Sequence, residues 1–347
     1  MHFKDTFKIL IVDDDDAHRL LEKEILTQQQ HQVFEAANGE QALEILKQQE
    51  FDAVLLDKRM PEMDGDQLCY KIRNELQLPL LPIVMVTGSY EKNELVKSLN
   101  AGANDFIHKP FNATELLARL TSAAKSKRIT DQLDNMETMM FALARMIEAK
   151  DDNTGDHCTR LSNTAVAFGK NLGLADWELS ALRRGGVLHD IGKLGIPDNI
   201  LLKQGPLDEK EWEIMKTHTT IGYHICANLK SMRDTAPIIL NHHEKWDGSG
   251  YPNGLSGDDI PLLAQVFQLV DIYDALAYQR PYKPAISQDD AIAIIRNETE
   301  KGWRNPHLVE PFIQFLKKQS ENSEFTQKFE HDLGEEIFDT ITQSVKT

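Results

Sequence analysis

Three things are scarce in these 347 residues: cysteine, positive charge and long apolar runs. The three cysteines, Cys69, Cys158 and Cys226, are scattered, odd in number and outside any CxxC pattern. That excludes a disulfide framework and points to a reducing, cytoplasmic setting. Lysine and arginine total 38 against 55 aspartates and glutamates, a formal net charge of −17. So acidic a chain is not a general DNA or membrane-surface binder, because both targets present phosphate charge. No stretch approaches the roughly 18 consecutive apolar residues of a membrane span, so no membrane insertion is expected. Residues 1–8 mix charge and polarity and lead straight into an apolar run, which predicts no signal peptide. The shortage of positive charge poses a question. An anionic substrate would need a local attractor, since net charge repels it.

What remains is a soluble globular mixture, 41% hydrophobic and 27% charged. The length suggests two domains and permits three, at roughly 100–200 residues each. In the first part, short apolar runs alternate with helical patterns. The runs are 8–12, 33–36, 53–56, 81–86 and 106–107, with helices expected over 17–28 and 39–48. That alternation predicts βαβ units and a doubly wound, five-stranded parallel sheet. Sites in such sheets form at the carboxyl ends of the strands. There the sequence places Asp13 and Asp14, then Asp57, then Thr87, then Lys109. Carboxylates gathered at one edge repel unless they hold a hard cation such as Mg²⁺. Lys109 can then neutralise an incoming phosphoryl group.

Residues 7–125 resemble a response-regulator receiver domain through ILIVDDDD, LLDKRMPEMDG, VMVTGS and DFIHKPF. The resemblance implies that Asp57 is the phosphoacceptor and that a sensor histidine kinase is the partner. It also implies that Mg²⁺ is held by Asp13, Asp14 and Asp57 with the carbonyl of Arg59. Thr87 and Lys109 would contact the phosphoryl group, and Phe106 would be the aromatic switch residue. Lys58, directly after the phosphoacceptor, is a charged residue without an account at this level.

From Asn112 to Lys150 there is neither proline nor glycine. Apolar residues fall at Ile129, Leu133, Met136, Met140, Leu143 and Ile147, a heptad spacing. One long helix is expected, with residues 126–150 connecting a receiver domain at 1–125 to a second domain at 151–318. Pairing of two such helices would make a homodimer; the alternative is that Met139–Ile147 packs on the second domain.

The second domain reads as helix after helix, with loops expected at Gly185–Gly186, Gly192–Pro197, Gly205–Pro206 and Asp247–Pro261. His189 and Asp190 are adjacent, as are His242 and His243; His157, His218 and Asp271 stand alone. Imidazoles suit Fe, Mn, Zn or Ni, and a carboxylate can bridge two ions. An all-α domain can aim such residues inward from several helices. There is no CxxC or HExxH, so zinc-finger and metalloprotease readings lose.

Residues 151–318 resemble an HD-GYP phosphodiesterase domain of the HD superfamily. The matching pieces are DDNTGDHCTRLS, LHDIGKLGIPD, KTHTTIG, NHHEKWDGSGYPNGL and VDIYDALAYQRPYK. The resemblance implies two transition metals, Fe or Mn. One would be held by His157, His189, Asp190 and Asp271, the other by His218, His242 and His243, with Asp190 bridging. Lys193 would face the scissile phosphate. Tyr251, Arg280 and Lys283 would contact the nucleotide, and Gly248 and Gly250 would let their loop approach it. Glu244 and Asp247 are candidates for protonating the leaving oxygen. Asn153 stands where some members carry a third-metal carboxylate, so two metals are expected. The implied substrate is cyclic di-GMP, cut to pGpG and then to GMP. The alternatives are a cyclic GMP-AMP phosphodiesterase, a catalytically weak sensor or scaffold, and a nucleoside monophosphate hydrolase. Residues 319–347 form an acidic tail in which Phe325, Phe329, Leu333, Ile337 and Ile341 predict a short amphipathic helix.

Overall fold

The computed structural model describes residues 5–150, 156–278 and 285–321. Asn153, Arg280, Lys283 and the expected tail helix lie outside the described residues. The chain divides into two compact units, residues 1–135 and 136–347.

In the first unit, five strands alternate with helices. They are β1 (Lys8–Val12), α1 (Asp16–Gln28), β2 (Gln32–Ala36), α2 (Gly39–Gln48), β3 (Ala53–Asp57), α3 (Gly65–Asn74), β4 (Ile83–Thr87), α4 (Lys92–Asn100) and β5 (Asp105–His108). The sheet is parallel throughout, in the order β2-β1-β3-β4-β5. Period-two alternation sorts the strand side chains onto two faces. Leu10, Val12, Val54, Leu56, Ile83 and Met85 pack with Leu46 of α2 and Leu68 and Ile72 of α3. Ile9, Ile11, Leu55, Val84, Val86 and Ile107 pack with Leu26 of α1 and with Leu116 and Leu120 of the next helix. With both faces covered, β3 and β4 are buried along their whole length, which is why they read as unbroken apolar runs. β4 begins at Ile83 rather than at Leu81, because Pro82 has no N–H to give the ladder. Asp15 caps α1, accepting from the N–H groups of Ala17 and His18. The last residue of the acidic run is therefore already helix.

The expected long helix is α5 (Ala113–Lys150). Its heptad seam divides. Met140 and Ile147 are buried with Phe141 and Ala144 against Leu188, Ile191 and Ile239. Ile129, Leu133, Met136 and Leu143 stay exposed, as do Met139 and Met146.

The second unit continues with α6 (Asp156–Asn171), α7 (Asp176–Leu188), α8 (Asp198–Leu201), α9 (Glu209–Lys216), α10 (His218–Ala227), α11 (Ala236–Asn241), α12 (Leu262–Ala277), α13 (Gln288–Glu300) and α14 (Pro306–Glu321). Its core centres on Val266, Phe267, Leu269 and Val270 of α12, packed with Phe168, Leu182, Ile295 and Phe312. The loop expected at Gly185–Gly186 is instead helix, the last turn of α7. These glycines serve close packing: a Cβ on Gly186 would lie 2.6 Å from the backbone of Ser162 on α6. The polar break expected after residue 318 does not stop α14, which runs to Glu321.

Candidate metal centre and phosphoacceptor pocket

In the first unit the strand ends converge as the sequence predicts. Oxygens of Asp13, Asp14 and Asp57 lie within 4.8 Å of one another. Lys109 Nζ reaches Asp57 Oδ1 at 2.5 Å and Asp13 Oδ2 at 3.0 Å. The surrounding cleft, about 280 Å³, also takes in His18, Arg59 and Thr87. Burial raises the Asp57 carboxyl, and Lys109 works against that rise. Burial also opposes the charge on Lys109, yet its bonds to Asp57 and Asp13 leave its pKa raised. The backbone N–H of Arg59 donates to Asp57 Oδ2 at 2.8 Å. Thr87 is buried, and its Oγ1 accepts from Ser89 N. Phe106 packs edge-on against His108, ring centres 5.3 Å apart.

Lys58 now has an account. It is buried, and its Nζ donates to the Glu94 carbonyl and to Ser98 Oγ, both at 3.0 Å on α4. Asp66 of α3 lies 3.9 Å away. The residue after Asp57 thus pins α4 to the end of β3.

In the second unit seven residues from distant segments meet. His157, His189 and Asp271 form one group with donor atoms within 4.8 Å, and His218, His242 and His243 form another. Local chain geometry places them. His157 lies in the first turn of α6, His218 starts α10, and Asp271 stands within α12. His189 and His242 sit just past the ends of α7 and α11. Asp190 spans the two groups. One carboxylate oxygen is 3.3 Å from His189 Nε2 and the other 3.4 Å from His218 Nε2. Lys193 Nζ stands 3.0 Å from Asp190 Oδ2.

The ring orientations are fixed from behind. Nδ1 of His189, His218 and His242 faces the carbonyl three residues earlier, at Gly186, Met215 and Ile239. A carbonyl only accepts, so each Nδ1 carries the proton and each Nε2 keeps its lone pair. Nε2 of His218 and of His242 is buried and takes no hydrogen bond among the described residues. Buried polar atoms are normally satisfied, so lone pairs left open at one centre fit a metal.

Protonation agrees. Burial lowers the pKa of His218 and, with the neighbouring imidazoles, puts His242 well below the ordinary value. Burial pushes His243 down to about 4. Neutral imidazole is the form that ligates. Burial would raise the Asp190 carboxyl, but Lys193, His189 and His218 outweigh it and hold it well below the carboxylate range.

Further residues complete the site. Asp274 accepts from His157 Nδ1 at 2.5 Å and from Arg160 Nε at 3.0 Å. Burial opposes its charge, yet these partners lower its pKa. Asp271 and Asp274 are three apart on α12, and that spacing was the available signal. Glu244 is fully buried, and its carboxylate accepts from Asn253 N at 2.7 Å and Leu255 N at 3.1 Å. Its oxygens are committed to holding the loop, so it is not the leaving-group acid. Asp247 is taken up by Ser249, through both N–H and Oγ. Gly250 packs the loop on itself: a Cβ there would lie 2.2 Å from Lys245 N. The loop returns Tyr251 to His243, whose carbonyl accepts from Tyr251 N, and the two rings lie 4.8 Å apart.

The model of the response regulator receiver domain matches residues 9–121, and that of the HD domain matches residues 142–308. A cyclic di-GMP phosphodiesterase of Thermotoga maritima is 33% identical over 339 residues, covering 89% of this chain and 90% of its own. The cyclic di-GMP phosphodiesterase response regulator RpfG of Xanthomonas campestris is 33% identical over 310 residues, covering 83% and 82%. A 3′3′-cGAMP-specific phosphodiesterase of Vibrio cholerae is 37% identical over 191 residues, covering 54% of this chain and 36% of its own. With identity of that order sustained across both domains, the chain belongs to the cyclic di-GMP phosphodiesterase response regulators, which join a receiver domain to an HD domain.

Proposed function

We propose that this chain hydrolyses cyclic di-GMP to pGpG, and onward to GMP, under control of phosphorylation at Asp57. The observation that carries the reading is the pair of three-donor groups spanned by Asp190, with Lys193 beside it. His157, His189, Asp190 and Asp271 would hold one metal and His218, His242 and His243 the second; imidazole-rich donors with a shared carboxylate suit Fe or Mn. Such ions supply an activated water and relieve charge on the phosphodiester.

The chain's own groups do the rest. Lys193 is a fixed cation next to the bridging carboxylate and offsets charge on the scissile phosphate. Asp274 holds His157 in its ligating tautomer. Tyr251, packed against His243, walls the site on the loop side, and Arg280 and Lys283 would grip the outer phosphate. In the receiver, Asp57 accepts a phosphoryl group from a sensor histidine kinase, with Mg²⁺ on Asp13 and Asp14 and countercharge from Lys109. The exposed residues Ile129, Leu133, Met136 and Leu143 support a homodimer joined along α5. The three free cysteines fit the cytoplasm.

Cyclic GMP-AMP is the second candidate substrate, favoured by the Vibrio cholerae relative. Incubating full-length, metal-loaded protein with each cyclic dinucleotide and resolving the products chromatographically decides between them. Faster turnover of cyclic di-GMP to pGpG is expected, and beryllium fluoride at the receiver should change its rate. Turnover of neither dinucleotide would remove the proposal.

A further inference from the structure

We propose that Trp212 is a base-stacking residue of the phosphodiesterase site, its indole receiving one purine of the cyclic dinucleotide. This deepens the function proposed above and rests on it. Three rings run outward from the metal donors. His243 and Tyr251 lie 4.8 Å apart with planes inclined by 32°. Tyr251 meets the edge of Trp212 at 6.2 Å and 79°. Trp212 stands at the outer end of this row, 46% exposed. That leaves part of the indole open to a ligand beside Tyr251.

Lys216 lies four residues along α9 from Trp212, hence on the same helix face. Its Nζ is 5.9 Å from the Tyr251 ring centre and pairs with Glu213 at 2.7 Å. A cation and an aromatic edge therefore converge on the tyrosine that borders the donors. The helix that presents them is held firmly. Asp208 caps it with a reciprocal bond to Glu211, and Lys203 pairs with Glu211.

Shape completes the argument. With the scissile phosphodiester at the metal donors, one ribose separates it from its base. The base then lies one step outward, where the row of rings ends. Stacking on an aromatic face tolerates any purine. Trp212 would therefore add affinity without choosing between guanine and adenine, and selection would come from polar contacts elsewhere.

The test uses full-length, metal-loaded Trp212→Ala and Trp212→Phe. The alanine variant should raise KM for cyclic di-GMP roughly tenfold or more, the usual scale of one lost base stack. Its kcat should stay within about twofold, since stacking acts equally on ground and transition states. KM for cyclic GMP-AMP should rise by the same factor. The phenylalanine variant should recover most of the loss. Cyclic di-GMP should also quench tryptophan fluorescence in the wild type, and that quench should disappear in Trp212→Phe. If Trp212 merely packs α9, the alanine variant will lose thermal stability with KM unchanged, and the proposal is overturned. Loss confined to one dinucleotide would overturn stacking as well. A wild type that neither binds nor cleaves either dinucleotide would remove the proposed function itself.

Discussion

The two clusters of metal-ligand residues solve opposite problems. The receiver pocket gathers carboxylates and brings its own countercharge, Lys109, onto Asp13 and Asp57. Asp14 is exposed and the cleft is open. A hard cation there enters a partly balanced, solvated site, which suits exchange with each phosphorylation cycle. The histidine cluster gathers imidazoles in the interior, three of them oriented by backbone carbonyls. Nε2 of His218 and of His242 takes no hydrogen bond among the described residues, which suits a bound cation. Ligand chemistry and burial together separate a transient site from a resident one.

The sharpest way to break the comparison is to remove the residue that spans both groups together with the histidine beside it. His189→Ala with Asp190→Ala takes a ligand from one group and the bridge from both. The expected result is loss of bound transition metal, read by elemental analysis, and loss of cyclic dinucleotide turnover. Asp57 should still accept a phosphoryl group from a small phosphodonor, because the pockets do not share donors. Retained hydrolysis would sink the metal-centre reading.

A second test concerns the cost of carboxylate crowding in the receiver. Glu22 of α1 is 1% exposed, and its Oε1 has no hydrogen-bond partner among the described residues. Burial first, then the charges of Asp13 and Asp57, push its pKa up to about 8. Between the unfolded value of 4.5 and that figure the folded chain binds the extra proton, so this group's contribution to stability falls as pH rises through the window. Glu22→Gln mimics the protonated form at every pH. It should stabilise the receiver by up to about 4 kcal/mol at pH 8, with the gain vanishing toward pH 4. A gain that is flat with pH in thermal unfolding would show that Glu22 is not protonated in the folded chain.

Both clusters were legible in the sequence for the same reason: each donor carries a chemistry that its spacing alone makes improbable by chance. Asp13, Asp57 and Thr87 close apolar runs, and His189–Asp190 and His242–His243 are adjacent pairs. Residues that act through a neighbour were less visible. Lys58 looked out of place because its partners, Glu94 and Ser98, lie on a helix forty residues away. Glu244 looked like a spare acid because its hydrogen bonds go to backbone N–H groups nine and eleven residues on. Gly185–Gly186 looked like a turn, since composition does not distinguish a flexible glycine from one that admits a neighbouring helix. The heptad on α5 left open whether a second helix or the second domain takes it, and tertiary packing claimed Met140 and Ile147.

The smallest expected effect is the most discriminating. Asp274 contacts none of the open Nε2 atoms; it works through His157 and Arg160. Asp274→Asn keeps the size of the side chain and an oxygen that can accept from Nδ1, but removes the charge that makes His157 a stronger donor. Loss of such a partner typically costs 10–100-fold in metal affinity or activity. Because Asp274 supports only the His157 group, the weakening should fall on one metal of the two. Titration with limiting metal should then show one tight and one weakened site, where the wild type shows two tight ones. Equal weakening of both sites would mean that Asp190 couples them so strongly that they bind as a unit. In that case the two histidine groups would be one site, with Asp190 setting the affinity of the whole.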